Sequence, residues 1–152
     1  MSKRKVYRPQ DPARVLLRTM PWRVHAMMEP LELIVAQLEQ DQSADVTAEG
    51  RPIFRDHANR DRWYETPIAL VGVCEAFELH NERSGETLDT EPLRRLAGKL
   101  DFGQDIVPQD LRDARTCLNA IRSHCLRMTA GYAEDLLRTV RLREEMERLC
   151  LT

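Results

Sequence analysis

The chain has 152 residues, of which 42% are hydrophobic and 32% are charged, and this composition is typical of one folded globular domain. Its 25 acidic and 23 basic side chains leave a formal net charge of −2, so no overall field attracts nucleic acid or a membrane surface. Only 5% of the residues are aromatic, while Leu, Ala, Arg and Glu are abundant, which favours helices over sheets. We therefore predict a mainly α protein.

The cysteines indicate the cellular compartment. Cys74, Cys117, Cys125 and Cys150 are scattered along the chain, which is unlike the closely spaced pairs of a disulfide framework. The charged start of the chain is not followed by the apolar core of a secretory signal. We therefore expect reduced thiols and a cytoplasmic location.

The first eleven residues are predicted to form a flexible basic arm, and residues 12–152 a single helical domain. The arm carries four cations and one aromatic ring: Lys3, Arg4, Lys5, Arg8 and Tyr7. Cations neutralise phosphates and an aromatic ring stacks on bases, so this arm is a candidate nucleic-acid contact. Arg112, Arg115 and Arg122, further along the chain, would extend a basic face.

Two helical segments are predicted to follow the arm. Asp11 and Pro12 have the residue types that cap and open a short helix. A second apolar stripe steps by four and three residues, which places it on one helical face: Val24, Met28, Leu31, Val35 and Leu38. Pro30 interrupts this face, so the segment is either one kinked helix or two helices divided there.

The helical period is lost between residues 41 and 65, where a small β-hairpin is predicted near residues 45–64. A turn-like segment at residues 48–51 separates two short strand-like runs, and Trp63 and Tyr64 suit a third strand. A long loop without structure is uncommon inside a compact domain, which also favours strands here.

Residues 66–83 predict a buried helix at the centre of the bundle. Thr66 has the residue type of an N-cap and Pro67 suits the first helical position. Residues 68–73 are apolar on every side, and such a helix must be covered on most faces. The segment is too short to span a bilayer, and Gly85 is predicted to end it.

Three more helices are predicted, which gives a bundle of five or six. One begins near Pro92, and another begins at Pro108 and carries an unbroken apolar seam from Leu111 to Met128. The last helix begins near Tyr132, and its final turns carry a second apolar stripe, rotated from the first: Leu142, Met146 and Leu149. We predict that the second stripe contacts a partner chain.

The sequence contains no local metal motif. Neither Cys-x-x-Cys nor His-Glu-x-x-His occurs, and no Glu-x-x-His pair is present for a carboxylate-bridged di-iron centre. Cys117 and His124 share a helical face beside Cys125, and we interpret Cys125 as a core residue that the other two flank. No metal and no cofactor are therefore expected.

Catalytic residues are not evident either. His57 lies beside Asp56 and near Asp61, a pattern that is more often a solvated loop than an acid–base pair. His80 is expected to interact with the carbonyls at the end of its helix. An enzyme is the least favoured class, and a convergent polar pocket around His57 or His124 would revive it.

Three segments carry a resemblance. They are Lys3–Pro9, Glu75–Leu79 and Asp135–Val140, within an all-helical chain of this length. The chain resembles a loose group of small helical proteins encoded by temperate phages and mobile elements of proteobacteria. The resemblance implies a bacterial or phage cytoplasmic context and assigns no functional residue.

Two hypotheses on function follow from these observations. The first is a non-enzymatic protein-interaction module whose partner is a second copy of itself, as a dimer through the seam or the final helix, or another protein. The second is a nucleic-acid-associated accessory or regulatory protein that uses the basic arm. The first requires an apolar patch that remains exposed after the bundle has packed.

Overall fold

The computed structural model describes residues 11–41, 45–56 and 62–150. Within these ranges the protein has five α-helices and one small antiparallel sheet, so the mainly α prediction is confirmed. The helices are α1 (Pro21–Asp41), α2 (Thr66–Ser84), α3 (Glu91–Asp101), α4 (Pro108–Leu126) and α5 (Ala130–Cys150). The strands are β1 (Asp45–Val46), β2 (Pro52–Asp56) and β3 (Arg62–Glu65).

As predicted, Asp11 caps and Pro12 opens a short helix, but it is a 3-10 helix that covers only Pro12–Arg14, and a second 3-10 helix, Leu17–Thr19, follows it. Besides closing its own 3-10 hydrogen bonds, this backbone pairs with the link between α4 and α5. The N–H of Leu17 donates to the carbonyl of Met128 at 2.9 Å, and the N–H of Ala130 donates to that of Val15 at 2.8 Å. The N-terminal segment is thereby tied to the start of α5.

Helix α1 is a single helix that contains Pro30, which decides between the two alternatives left by the sequence. Proline removes one backbone hydrogen bond, and the buried face of the helix offsets this loss. The predicted stripe from Val24 to Leu38 is buried, and Ile34 joins it.

The three strands form one antiparallel sheet in the order β1-β2-β3. The β1–β2 turn ends at Gly50, whose φ of 81° is easily adopted by glycine. Ile53 pairs with Glu65 and Phe54 with Tyr64, and the buried Phe54 ring joins the helical core. His57 and Asp61, the candidate acid–base residues, lie outside the described residues.

Helix α2 follows β3 directly and begins at residue 66 as predicted, but the predicted cap is wrong. Glu65 stands at the N-cap with extended backbone, so Thr66 is already the first helical residue. Its hydroxyl is buried, and among the described residues it has no hydrogen-bond partner, so Thr66 does not cap the helix. The predicted stop is confirmed, since Gly85 adopts φ 73° at the C-cap.

The apolar segment of α2 is not covered on every side. Leu70 and Cys74 are fully buried, but the side chain of Ile68 is 65% exposed. Helix α3 packs against α2 and α4, α4 packs against α1, and α5 packs against α2. None of the described helices combines the length and the apolar composition that a membrane span needs.

The seam of α4 is part of the core. Its residues are all buried: Leu111, Ala114, Leu118, Ile121, Cys125 and Met128. The hypothesis that this seam binds a partner chain is therefore wrong, because the stripe packs within its own bundle.

Candidate functional site

Two histidines that are far apart in the sequence meet beside one carboxylate. His80 lies near the end of α2, Glu86 just beyond Gly85, and His124 near the end of α4. Oε2 of Glu86 is 3.5 Å from Nε2 of His80 and 2.5 Å from Nδ1 of His124. We call these three residues the histidine–carboxylate cluster.

Tyr132, in the first turn of α5, orients one of these imidazoles. Its hydroxyl lies 2.6 Å from Nδ1 of His80. The ring planes of His80 and Tyr132 meet edge to face with centroids 5.5 Å apart. The ring of His80 thus contacts Tyr132 and Glu86, and not the terminal carbonyls of its helix as the sequence suggested.

The loop that carries Glu86 is held onto α2 by side chains of the helix. The side-chain amide of Asn81 donates to the carbonyl of Leu88 at 2.9 Å, and its oxygen accepts from the N–H of Leu88 at 3.2 Å. The hydroxyl of Ser84 donates to the carbonyl of His80 at 2.7 Å and accepts from the N–H of Glu86 at 3.2 Å. These bonds fix the position of Glu86 relative to His80.

The cluster has an apolar inner wall and an open outer side. The buried ring of Phe77 lies edge to face with both imidazoles, with centroid distances of 5.9 Å to His80 and 6.3 Å to His124. The side chains of His80 and His124 are 10% and 18% exposed, and that of Glu86 is 41% exposed. A small ligand could therefore reach the cluster from solvent.

Sequence reasoning considers a polar pocket around His124, but nothing in the sequence places His80 and Glu86 beside it. His80 and Glu86 are six residues apart with the end of a helix between them, and His124 lies on another helix. No local spacing rule detects such a group, because zinc and di-iron motifs rely on ligands within one or two turns. Only the fold brings the end of α2 close to the end of α4, where His124 lies.

A second polar group lies between α2 and α5, around a surface cavity of about 250 Å³. Partial burial and a hydrogen bond with Glu144 raise the pKa of Glu75 above its ordinary value. On the same cavity the guanidinium of Arg94 binds both carboxylate oxygens of Glu78 at 2.6 Å. This hydrogen bonding outweighs burial and lowers the pKa of Glu78. The group joins α2 to α3 and α5.

The predicted interface residues lie on the last turns of α5. Leu142, Met146 and Leu149 are 54%, 65% and 76% exposed. Leu136 and Val140, on the other side of the same helix, are buried. The predicted nucleic-acid residues Lys3, Arg4, Lys5, Tyr7 and Arg8 lie outside the described residues.

The chain was also compared with known proteins. No family model, no curated protein and no solved structure matches it.

Proposed function

We propose that this helical bundle, organised around α2 and carrying the small sheet, is a non-enzymatic interaction module that forms a homodimer through the last turns of α5. The observation that supports the proposal is the exposed apolar stripe of Leu142, Met146 and Leu149. We name these residues the α5 stripe.

The position of the α5 stripe distinguishes it from packing residues. At 100° per residue, its members lie roughly 145° around the helix from the buried group of Ala133, Leu136 and Val140. When a helix packs on one side only, apolar residues on its other side do not contribute to that packing. Exposed apolar patches of this kind mark interaction surfaces.

A second copy of the chain suits this surface for a geometric reason. The steps of four and three residues match the spacing by which two α-helices interlock their side chains. A twofold axis lets one short stripe provide both halves of the interface. Because the stripe spans only two turns, the buried area is small, and we expect a weak dimer that forms as the protein concentration rises.

The test compares the mass in solution of three proteins by light scattering after size exclusion. The wild-type chain is expected to approach twice its monomer mass of 17.7 kDa as concentration rises. Met146→Glu is expected to remain monomeric, because it places a charge in the contact. Ile68→Glu is the matched control, since Ile68 on α2 is as exposed as Met146, at 65%, and should leave the dimer intact. A wild-type monomer at every concentration, or a dimer unaffected by Met146→Glu, would refute the proposal.

The nucleic-acid hypothesis stays a prediction from the arm. The described residues add little to it, because Arg115 pairs with Glu39 and Arg122 with Glu32, both at 2.5 Å. These pairs reduce the net charge of the basic face predicted on α4. The phage or mobile-element origin and the cytoplasmic location likewise stay hypotheses from sequence.

A further inference from the structure

We propose that the histidine–carboxylate cluster binds one divalent transition-metal ion of the zinc type. Its ligands would be Nε2 of His80, a carboxylate oxygen of Glu86 and Nδ1 of His124. The proposal departs from the sequence-based expectation of no metal and is independent of the dimer proposed above.

The distances fit an ion with little rearrangement. One ligand atom from each of the three residues lies within 4.8 Å of the other two. Ligands about 2.0–2.2 Å from a tetrahedral zinc ion lie roughly 3.4 Å from one another. Nε2 of His80 and Oε2 of Glu86 are 3.5 Å apart, which is already close to this ligand–ligand distance. Oε2 of Glu86 and Nδ1 of His124 are 2.5 Å apart and must separate by about 1 Å to admit the ion.

The hydrogen bond of Tyr132 prepares His80 as a ligand. A metal-bound histidine usually donates its second ring N–H to a neighbouring acceptor, which fixes the tautomer and the ring orientation. With Nδ1 of His80 donating to the Tyr132 hydroxyl, Nε2 carries the lone pair on the side of Glu86. Tyr132 would therefore act as a positioning residue behind the ligand.

The donor set selects the class of ion. Two imidazoles and one carboxylate suit zinc, cobalt and related ions, whereas magnesium and calcium prefer oxygen ligands. Glu86 and the outer side of the cluster face solvent, which leaves the fourth position to water. The hydrogen bonds of Asn81 and Ser84 hold the loop in place before an ion arrives, so binding needs little ordering of the chain.

A competing explanation needs no ion. A charge-assisted hydrogen bond from His124 to the carboxylate of Glu86 would also account for their short contact. The two explanations differ in a measurable way, because only a built site binds metal stoichiometrically.

The test uses the full-length chain, freed of metal with a chelator and then titrated with Co²⁺ and Zn²⁺. We expect one ion per chain, seen as visible Co²⁺ absorption without the near-ultraviolet band of thiolate ligands and displaced by Zn²⁺. Glu86→Gln and His124→Gln each remove a ligand and should weaken Zn²⁺ binding by about 100-fold or more, at or above the upper end of the loss typical of an outer hydrogen-bond partner. Tyr132→Phe should weaken it by about 10-fold, as expected for an outer hydrogen-bond partner.

His25→Gln is the matched control. His25 also pairs with a glutamate, Glu29 at 3.7 Å, but lies exposed on α1 and should leave Zn²⁺ binding unchanged. Circular dichroism checks that each variant is folded. Because Glu86 is partly exposed, its substitution should disturb the fold little. Absence of stoichiometric binding by the wild-type chain, thiolate absorption, or unchanged binding by folded Glu86→Gln would overturn the proposal.

Discussion

Asp110, in the first turn of α4, is a charged side chain within the core, with only 4% of the residue exposed. One carboxylate oxygen accepts from Lys99 at 2.7 Å and from the N–H of Val107 at 3.0 Å, and Arg95 lies 3.9 Å from the other. Burial alone would raise the pKa of Asp110, but these hydrogen bonds and positive charges outweigh it and lower the pKa. Asp110 thus joins the start of α4 to α3.

Asp110→Asn should therefore reduce the free energy of unfolding at pH 7 by about 1–3 kcal/mol. Because the folded-state pKa is lowered, this stabilisation is present above the ordinary pKa, about 3.9, and is lost as pH falls through the folded value. Urea denaturation from pH 7 to pH 2 should show a smaller loss of stability on acidification in the variant than in the wild type. Asp113→Asn, on the same helix but a third exposed, is the control and should cost under about 1 kcal/mol. Equal effects of the two variants would contradict this role.

The cysteines differ sharply in exposure. Burial raises the pKa of the Cys74 thiol to about 12 and that of Cys117 and Cys125 to about 11, whereas Cys150 is exposed on α5. The thiolate is the reactive form, so the buried thiols should be inert near neutral pH.

A thiol reagent at pH 8 should therefore label one cysteine per native chain quickly and all four after unfolding. The fast phase should disappear in Cys150→Ser, since that variant removes the accessible thiol. Two or more fast-reacting thiols in the native wild-type chain would show that the core around α2 and α4 opens more readily than its packing implies.

The contact between the N-terminal segment and α5 depends on a glycine. A methyl group on Gly131 would lie 2.8 Å from Cβ and from the carbonyl oxygen of Ala13. Gly98, in the middle of α3, has no atom within 4 Å of the same position.

Alanine substitutions at these two glycines should therefore change the free energy of unfolding in opposite directions. Gly131→Ala should lower the free energy of unfolding by about 1–3 kcal/mol, because the N-terminal segment must move away. Gly98→Ala should raise it by about 0.5–1 kcal/mol, because alanine favours a helix that has room for it. Urea denaturation measures both, and stabilisation by Gly131→Ala would show that residues 12–14 do not pack on α5.

The helices could be predicted from sequence because their evidence is local. The apolar stripes of α1 and α4 repeat at the helical period, and Gly85 ends α2 by its own conformational preference. The errors arose where a distant partner decides the outcome. Thr66 resembles a cap but follows a strand without a break, and the segment after Asp11 takes some of its backbone partners from the link before α5.

The candidate site lay beyond sequence reasoning for the same reason. His80, Glu86 and His124 are unremarkable in their own segments, and only the packing of α2, α4 and α5 brings them together. The α5 stripe was predicted because its three residues share one helix. Its exposure, however, depends on which face of α5 the bundle covers, and that is a property of the whole fold.

Helix α5 takes part in two separate surfaces of the protein. Its first turn supplies Tyr132 to the histidine–carboxylate cluster, and its last turns carry the α5 stripe. Tyr132 and Leu142 are ten residues apart, or roughly 15 Å along the helix. Metal binding and self-association should therefore be independent, so that either can fail without the other.

Hydrogen exchange followed by mass spectrometry at increasing protein concentration would locate the dimer contact directly. If two copies meet through the α5 stripe, amide exchange in residues 141–149 slows as concentration rises, and Met146→Glu abolishes the effect. Exchange in that segment that does not change with concentration, or slowing confined to another part of the chain, would contradict a dimer built on the last turns of α5.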